Sequence, residues 1–270
     1  MTSIHRSGRT NVGMQQALSV IISSLLTLAT PSLSAAPVYR NVPAAELRSA
    51  LPPDGKSSKA QVGKFSMRAL PVSVVEYQRF LNSHAKWQRE GMARLLADSN
   101  YLRSWPSSKV AAAWALQQPV TEVSWFAAQA FCESEGARLP TWHEWELVAA
   151  ADQTLRDARN DPAWRNQILQ WYSRPSGREL PTVGSGVVNV YGIGDMHGIV
   201  WEWTYDFAGL MVSVDNREQG DPDTLRFCGA GALSMNDRDN FAVLMRIALL
   251  SSLQASSTTR NLGFRCAKPG

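Results

Sequence analysis

Residues 119–150 read PVTEVSWFAAQAFCESEGARLPTWHEWELVAA, and this stretch decides the fold class. Two helix starts are written into it. Ser124 precedes an apolar run through Trp125, Ala128, Phe131 and Cys132, with its hydroxyl placed to cap the first turn. Gly136 then supplies a C′ residue free to take the left-handed backbone. After Pro140, Thr141 and Glu144 form a capping box, and Trp145, Val148 and Ala149 share an inward face. Upstream, Ser73 and Glu76 make a second box ahead of Tyr77, Phe80 and Leu81. These helices are short and separated by long irregular stretches, which predicts an α+β domain rich in irregular structure rather than a bundle or a doubly wound sheet. Residues 151–186, polar with Pro and Gly positions, read as an extended surface excursion. The tract NVYGIGDMHGIVWEWTYDF at 189–207 carries too many glycines for regular helix, and its Trp201 and Trp203 read as core.

The composition is that of a globular chain: 270 residues, 44% hydrophobic and 19% charged. Residues 1–36 read as a secretory signal peptide, with Arg6 and Arg9 ahead of the apolar run ALSVIISSLLTLA at 17–29 and the small-residue tract PSLSAAP behind it. That run is too short for a transmembrane helix, and no cysteine lies near the cleavage region to carry a lipid, so no membrane anchor is expected. Removing the segment takes away two arginines and no acid, lowering the formal charge from +4 to +2. No Lys/Arg stripe remains to neutralise phosphates, so nucleic acid is not an expected partner. The protein is expected to be periplasmic or secreted, where Cys132, Cys228 and Cys266 can oxidise. Residues 37–62, Pro-, Ser- and Ala-rich, read as an N-terminal arm ahead of a single domain over 63–270.

Three blocks, 119–150, VNVYGIGDMHGIVWEWTYDF at 188–207 and NLGFRC at 261–266, together with FSMRALPVSVVEYQRFLNSH at 65–84, resemble the formylglycine-generating enzyme (sulfatase-modifying factor) family. The resemblance implies one compact domain related to the C-type-lectin-like fold, with a substrate groove on its surface. It implies a disulfide between Cys132 and Cys266. It also implies a structural calcium ion near the WEW motif, held by Asp195, Gly198, Val200 and Glu202, hard oxygen donors suited to that ion. The alternative at the same positions is that Asp195 caps the turn while Glu202 ionises against an arginine. The motif asparagine is replaced by Ile199.

The family oxidises a sulfatase cysteine with copper held by two thiolates upstream of NLGFRC, soft ligands that select Cu(I). Counted back from Asn261 without gaps, those positions are Asp237 and Ala242, neither of which can replace a thiolate, so copper is not expected. Cys228 stands alone beside GAGAL at 229–233, and His84, His143 and His197 form no H-x-x-x-H or H-x-E pattern. The sequence is similar to the exported accessory type linked to nitrite reductase in denitrification (NirV type), through the tract at 227–266. The alternative is the siderophore-chromophore maturation type (PvdO type), an oxidase-class enzyme, or residual formylglycine-generating-like oxidation. An exported protein or peptide partner, with nitrite reductase the candidate that this resemblance implies, is expected at a groove near Trp201, Asp237 and Arg246. Arg246 interrupts the apolar run AVLMRIALL, so it is expected to find an acid or to line that groove.

Overall fold

The structure is a computed structural model that describes residues 36–49, 59–173, 179–208 and 241–270. Three helices start where the sequence places them. Helix α1, Val74–Ser83, carries the Ser73–Glu76 capping box. Helix α2, Trp125–Ser134, is capped by Ser124 Oγ, which accepts from the Ala127 amide, and Gly136 follows it with φ +64°. Helix α3, Trp142–Ala149, carries the Thr141–Glu144 box. In each case the cap satisfies amides that the first helical turn leaves without a backbone acceptor.

Two expectations are corrected. The stretch 37–62 is not an arm outside the domain. It supplies β1 (Tyr39–Val42), β2 (Ala45–Arg48) and β3 (Lys59–Val62). Strand β1 pairs antiparallel with β4 (Phe65–Arg68), Tyr39 opposite Arg68, and β4 pairs in turn with β7 (Ala267–Pro269). Strands β2 and β3 form a separate antiparallel pair. Four-residue strands with one or two buried side chains each, Val42, Leu47, Ala60 and Val62, are too short to show a clear period of two. Likewise the excursion over 151–186 contains α4, Pro162–Tyr172, which starts from an Asp161 cap onto the Ala163 amide with Pro162 in the first turn.

The apolar side chains form two clusters. In one, Tyr77, Phe80 and Leu81 of α1 meet Ala128 and Phe131 of α2, with Trp203 and Phe264. Tyr77 and Phe131 stack at 5.9 Å, and Phe131 meets Phe264 edge-on at 5.4 Å. In the other, Val42, Val62, Phe65 and Met67 of the strands pack on Trp145, Leu147 and Val148 of α3 and on Ile193 and Met196. The expected disulfide is present: Cys132 at the end of α2 is bonded to Cys266, 134 positions later, with Cα atoms 5.4 Å apart. The 189–207 tract is irregular apart from β5 (Trp201–Glu202), which pairs in parallel with β6 (Leu262–Gly263). Helix α5, Phe241–Ser251, packs against α4. No helix among the described residues is long and apolar enough to cross a membrane.

Candidate functional site

Strand β5 turns Glu202 into the protein and leaves Trp201 half-buried. Glu202 and Arg265 are both fully buried. Arg265 Nε donates to Glu202 Oε1 and Oε2 at 3.0 and 2.9 Å, and Nη2 donates to Oε1 at 2.8 Å. The same Nη2 reaches the carbonyls of Gly194 and Asp195 at 3.1 and 3.2 Å, and Nη1 the carbonyl of Arg68 at 3.4 Å. Trp145 Nε1 donates to Glu202 Oε2 at 2.7 Å. A buried ion pair is tolerable only when its remaining donors and acceptors are satisfied, and this one meets that condition.

The positions assigned to calcium are therefore arranged differently. Glu202 already has its cation, the Arg265 guanidinium. Asp195, itself in the left-handed region at φ +61°, points its carboxylate at two backbone amides, those of Gly184 at 2.5 Å and Gly186 at 2.8 Å. Gly198, at φ +85°, lies under α4, where an added Cβ would come within 2.8 Å of the Trp171 ring; Val200 is half-buried ahead of β5. The four groups as placed do not fit a calcium ion: one carboxylate is neutralised and the other caps a turn. Among the described residues no three His, Cys, Asp or Glu side chains converge as metal ligands.

Arg246, on α5, is 1% exposed. Among the described residues it pairs with no carboxylate side chain. Its guanidinium lies on the Trp145 ring, Cζ 3.5 Å from the centroid, with Trp142 at 5.8 Å, and donates through Nη2 to the backbone carbonyl of Glu202. Its Nε has no hydrogen-bond partner among the described residues. Burial pulls its pKa down to about 10, which leaves it charged at neutral pH. Trp201 stacks on Tyr172 at 4.8 Å, and its amide donates to the Asn261 carbonyl at 2.8 Å. Burial pushes the Tyr172 phenol up to about 12. Ala242 falls in the first turn of α5, and Asp237 and Cys228 lie outside the described residues.

His197 is held among rings: Trp171 stacks on it at 5.9 Å, and Trp145 and Trp164 meet it edge-on at 5.9 and 5.7 Å. Its Nε2 lies 2.8 Å from the Ala149 carbonyl. Burial drives its pKa down to about 4, so the imidazole is neutral and its Nε2 carries the proton given to that carbonyl. His84 stacks on Phe80 at 4.5 Å, its Nδ1 2.9 Å from the Phe80 carbonyl. Both histidines serve packing.

A second feature, which no sequence motif marks, is a cavity of about 270 Å³ lined by Asn100, Arg103, Glu122, Thr258, Thr259 and Arg260. Glu122 lies at φ +58° and Leu102 at +48°, a conformation costing a side-chain-bearing residue about 1 kcal/mol. The Leu102 amide donates to the Glu122 carbonyl at 3.0 Å, and the Glu122 amide to that of Thr259 at 2.9 Å. The Glu122 side chain is 3% exposed; it accepts from the Ser104 amide at 2.7 Å and faces Nε of Arg260, 84% exposed, at 3.3 Å. Three segments far apart in sequence make this pocket, so no local motif marks it.

Comparison with known proteins agrees with the fold. The sulfatase-modifying factor enzyme 1-like domain matches residues 41–269. The formylglycine-generating enzyme of Bos taurus is 26% identical over 262 residues, covering 79% of this chain and 68% of the bovine protein. Hercynine oxygenase of Mycobacterium tuberculosis is 29% identical over 161 residues, covering 53% of this chain but only 38% of the oxygenase. The structure of PvdO from Pseudomonas aeruginosa superposes with a TM-score of 0.49 at 16% identity, covering 87% of this chain and 95% of that one. With its match running from β1 to β7, the chain belongs to the sulfatase-modifying factor enzyme 1-like family, that of the formylglycine-generating enzymes and their oxidase-type relatives.

Proposed function

We propose that this protein is a periplasmic accessory or maturation factor for an exported metalloenzyme, with nitrite reductase in denitrification as the specific candidate, and that it works without the copper thiolate pair of its family. The observation that carries the reading is the thiol inventory. The chain has three cysteines, and two of them form the Cys132–Cys266 disulfide. Only Cys228 remains, while the positions counted for the copper thiolates hold Asp237 and Ala242. A single thiol cannot hold Cu(I) between two soft ligands. A disulfide of this kind persists in an oxidising compartment, in keeping with the signal-like residues 1–36.

Among the described residues a half-buried aromatic pair, Trp201 stacked on Tyr172, supports the reading of a partner face. Such rings present rigid contact area to a protein or peptide at low entropic cost. A second reading, oxidase-type maturation of another substrate such as a siderophore chromophore, draws support from the relationship to hercynine oxygenase.

Tagged protein purified from the periplasm of its native host separates the two. The accessory reading expects nitrite reductase to co-purify and expects a deletion strain to accumulate reductase deficient in activity. Stoichiometric copper or iron together with oxygen consumption on a candidate substrate, and no co-purifying reductase, overturns it.

A further inference from the structure

We infer that the cavity between Glu122 and Arg260 is a carboxylate-binding pocket, with Arg103 and Arg260 as the groups that hold the ligand. It stands apart from the proposed partner face and does not depend on the accessory reading.

The charge of the lining selects the ligand. Two guanidiniums, Arg103 and Arg260, and one carboxylate, Glu122, leave a net charge of +1. That balance matches a monoanion: a cation would meet two arginines, and a dianion would bring excess negative charge beside Glu122. The lining hydroxyls, the Glu122 carboxylate and the Asn100 carbonyl oxygen are already engaged. Thr258 donates its hydroxyl to Asp98, and its amide reaches Asp98 Oδ2 at 3.0 Å. Thr259 donates its hydroxyl to Asn261 Oδ1 at 2.9 Å. Asn100 Oδ1 accepts from Arg103 Nη1 at 3.1 Å. Glu122 Oε2 takes the Ser104 amide, and Oε1 forms an ion pair with Nε of Arg260 at 3.3 Å.

Among the described residues the two arginines are the charged lining groups with donors to spare, beside the neutral side-chain amide of Asn100. Arg260 commits its Nε to Glu122, and its two terminal nitrogens have no partner among the described residues. Arg103 commits Nη1 to Asn100 and keeps Nη2. The planar fork of a guanidinium matches the two oxygens of a carboxylate. Glu122 is the positioning residue: buried, and fixed by backbone bonds from both sides, it anchors Arg260 at the rim. The left-handed pair Leu102 and Glu122 keeps that carboxylate at the cavity wall, and local strain of this kind concentrates at binding sites. At about 270 Å³ the cavity admits a group of side-chain size, such as a small organic acid or the C-terminal residue of a peptide.

The test is an amide-resolved NMR titration of the folded protein with N-acetylglycine, with N-acetylglycinamide as the uncharged counterpart, and with inorganic phosphate. N-acetylglycine is expected to shift the amides of Asn100, Ser104, Glu122 and Thr259 saturably, with Kd on the order of 1 mM, and to weaken as salt is added. The amide is expected to leave them in place. Arg103→Gln and Arg260→Gln are each expected to weaken binding about tenfold, and the double variant to abolish it. Both side chains are exposed, and an unchanged amide spectrum elsewhere shows that the variants fold.

A pentapeptide with a free C-terminus, set against its amidated form, identifies the source. Tighter binding than N-acetylglycine marks a peptide terminus, equal binding a free small acid, and either outcome supports the carboxylate site. Equal shifts from acid and amide, tighter binding of phosphate, binding that survives the double variant, or no saturable shift overturns it.

Discussion

Two buried glutamates, each facing one arginine, divide the molecule's roles between them. Glu202 and Arg265 are both inaccessible to solvent, and every oxygen and nitrogen between them is matched by a tryptophan, a carbonyl or the partner itself. Glu122 is as deeply placed, but its arginine is 84% exposed and stands at the rim of a cavity. The first pair closes a seam between β5 and the segment that joins β6 to β7. The second leaves charge where a ligand can reach it. Burial of the acid alone therefore does not distinguish a structural pair from a binding one. The exposure of its partner does.

Breaking the closed pair has the largest expected effect. Arg265→Met strands the Glu202 charge in a dry interior and is expected to lower unfolding free energy by about 3–5 kcal/mol, read from urea denaturation. Next is the neighbouring crosslink. Cys132→Ser with Cys266→Ser is expected to cost about 2–4 kcal/mol, by the same measurement under non-reducing conditions.

A pH series sharpens the comparison on the closed side, where His197 packs on Trp145. Its folded pKa of about 4 lies below the ordinary 6.5, so the unfolded chain takes up the proton first. Stability is expected to be level above about pH 6.5 and to fall as pH drops towards about 4, by on the order of 2 kcal/mol after allowance for partial exposure. His197→Gln is expected to remove that slope, whatever its effect on stability at neutral pH. The smallest effect belongs to the open pair: Arg260→Met is expected to change stability by less than about 0.5 kcal/mol. A loss matching that of Arg265→Met would erase the distinction.

The parts of the fold that follow local rules were legible. Ser73, Ser124 and Thr141 each start a helix through contacts within one turn, so spacing alone identified them. The strands in 39–62 were not, because four residues carry too little alternation to stand out from a Pro- and Ser-rich background. Helix α4 was missed although Asp161 and Pro162 mark its start, since its face buries only Ile168 fully. The Cys132–Cys266 pairing came from family resemblance. The site was less legible still. The possibility that Glu202 meets an arginine was readable, but Arg265 as its partner was not, because 63 positions separate them and only the parallel β5–β6 pairing brings them together. Arg246 was expected to find an acid or to line the groove; among the described residues it lies on the Trp145 ring, a contact that depends on tertiary packing.

The most direct test of the division between the two pairs is a pair of double-mutant cycles by urea unfolding, Glu202→Gln with Arg265→Met and Glu122→Gln with Arg260→Met. The account predicts a coupling energy for the closed pair of about 3 kcal/mol or more, and for the open pair of less than about 1 kcal/mol. Equal couplings, or a larger one at Glu122, would contradict it.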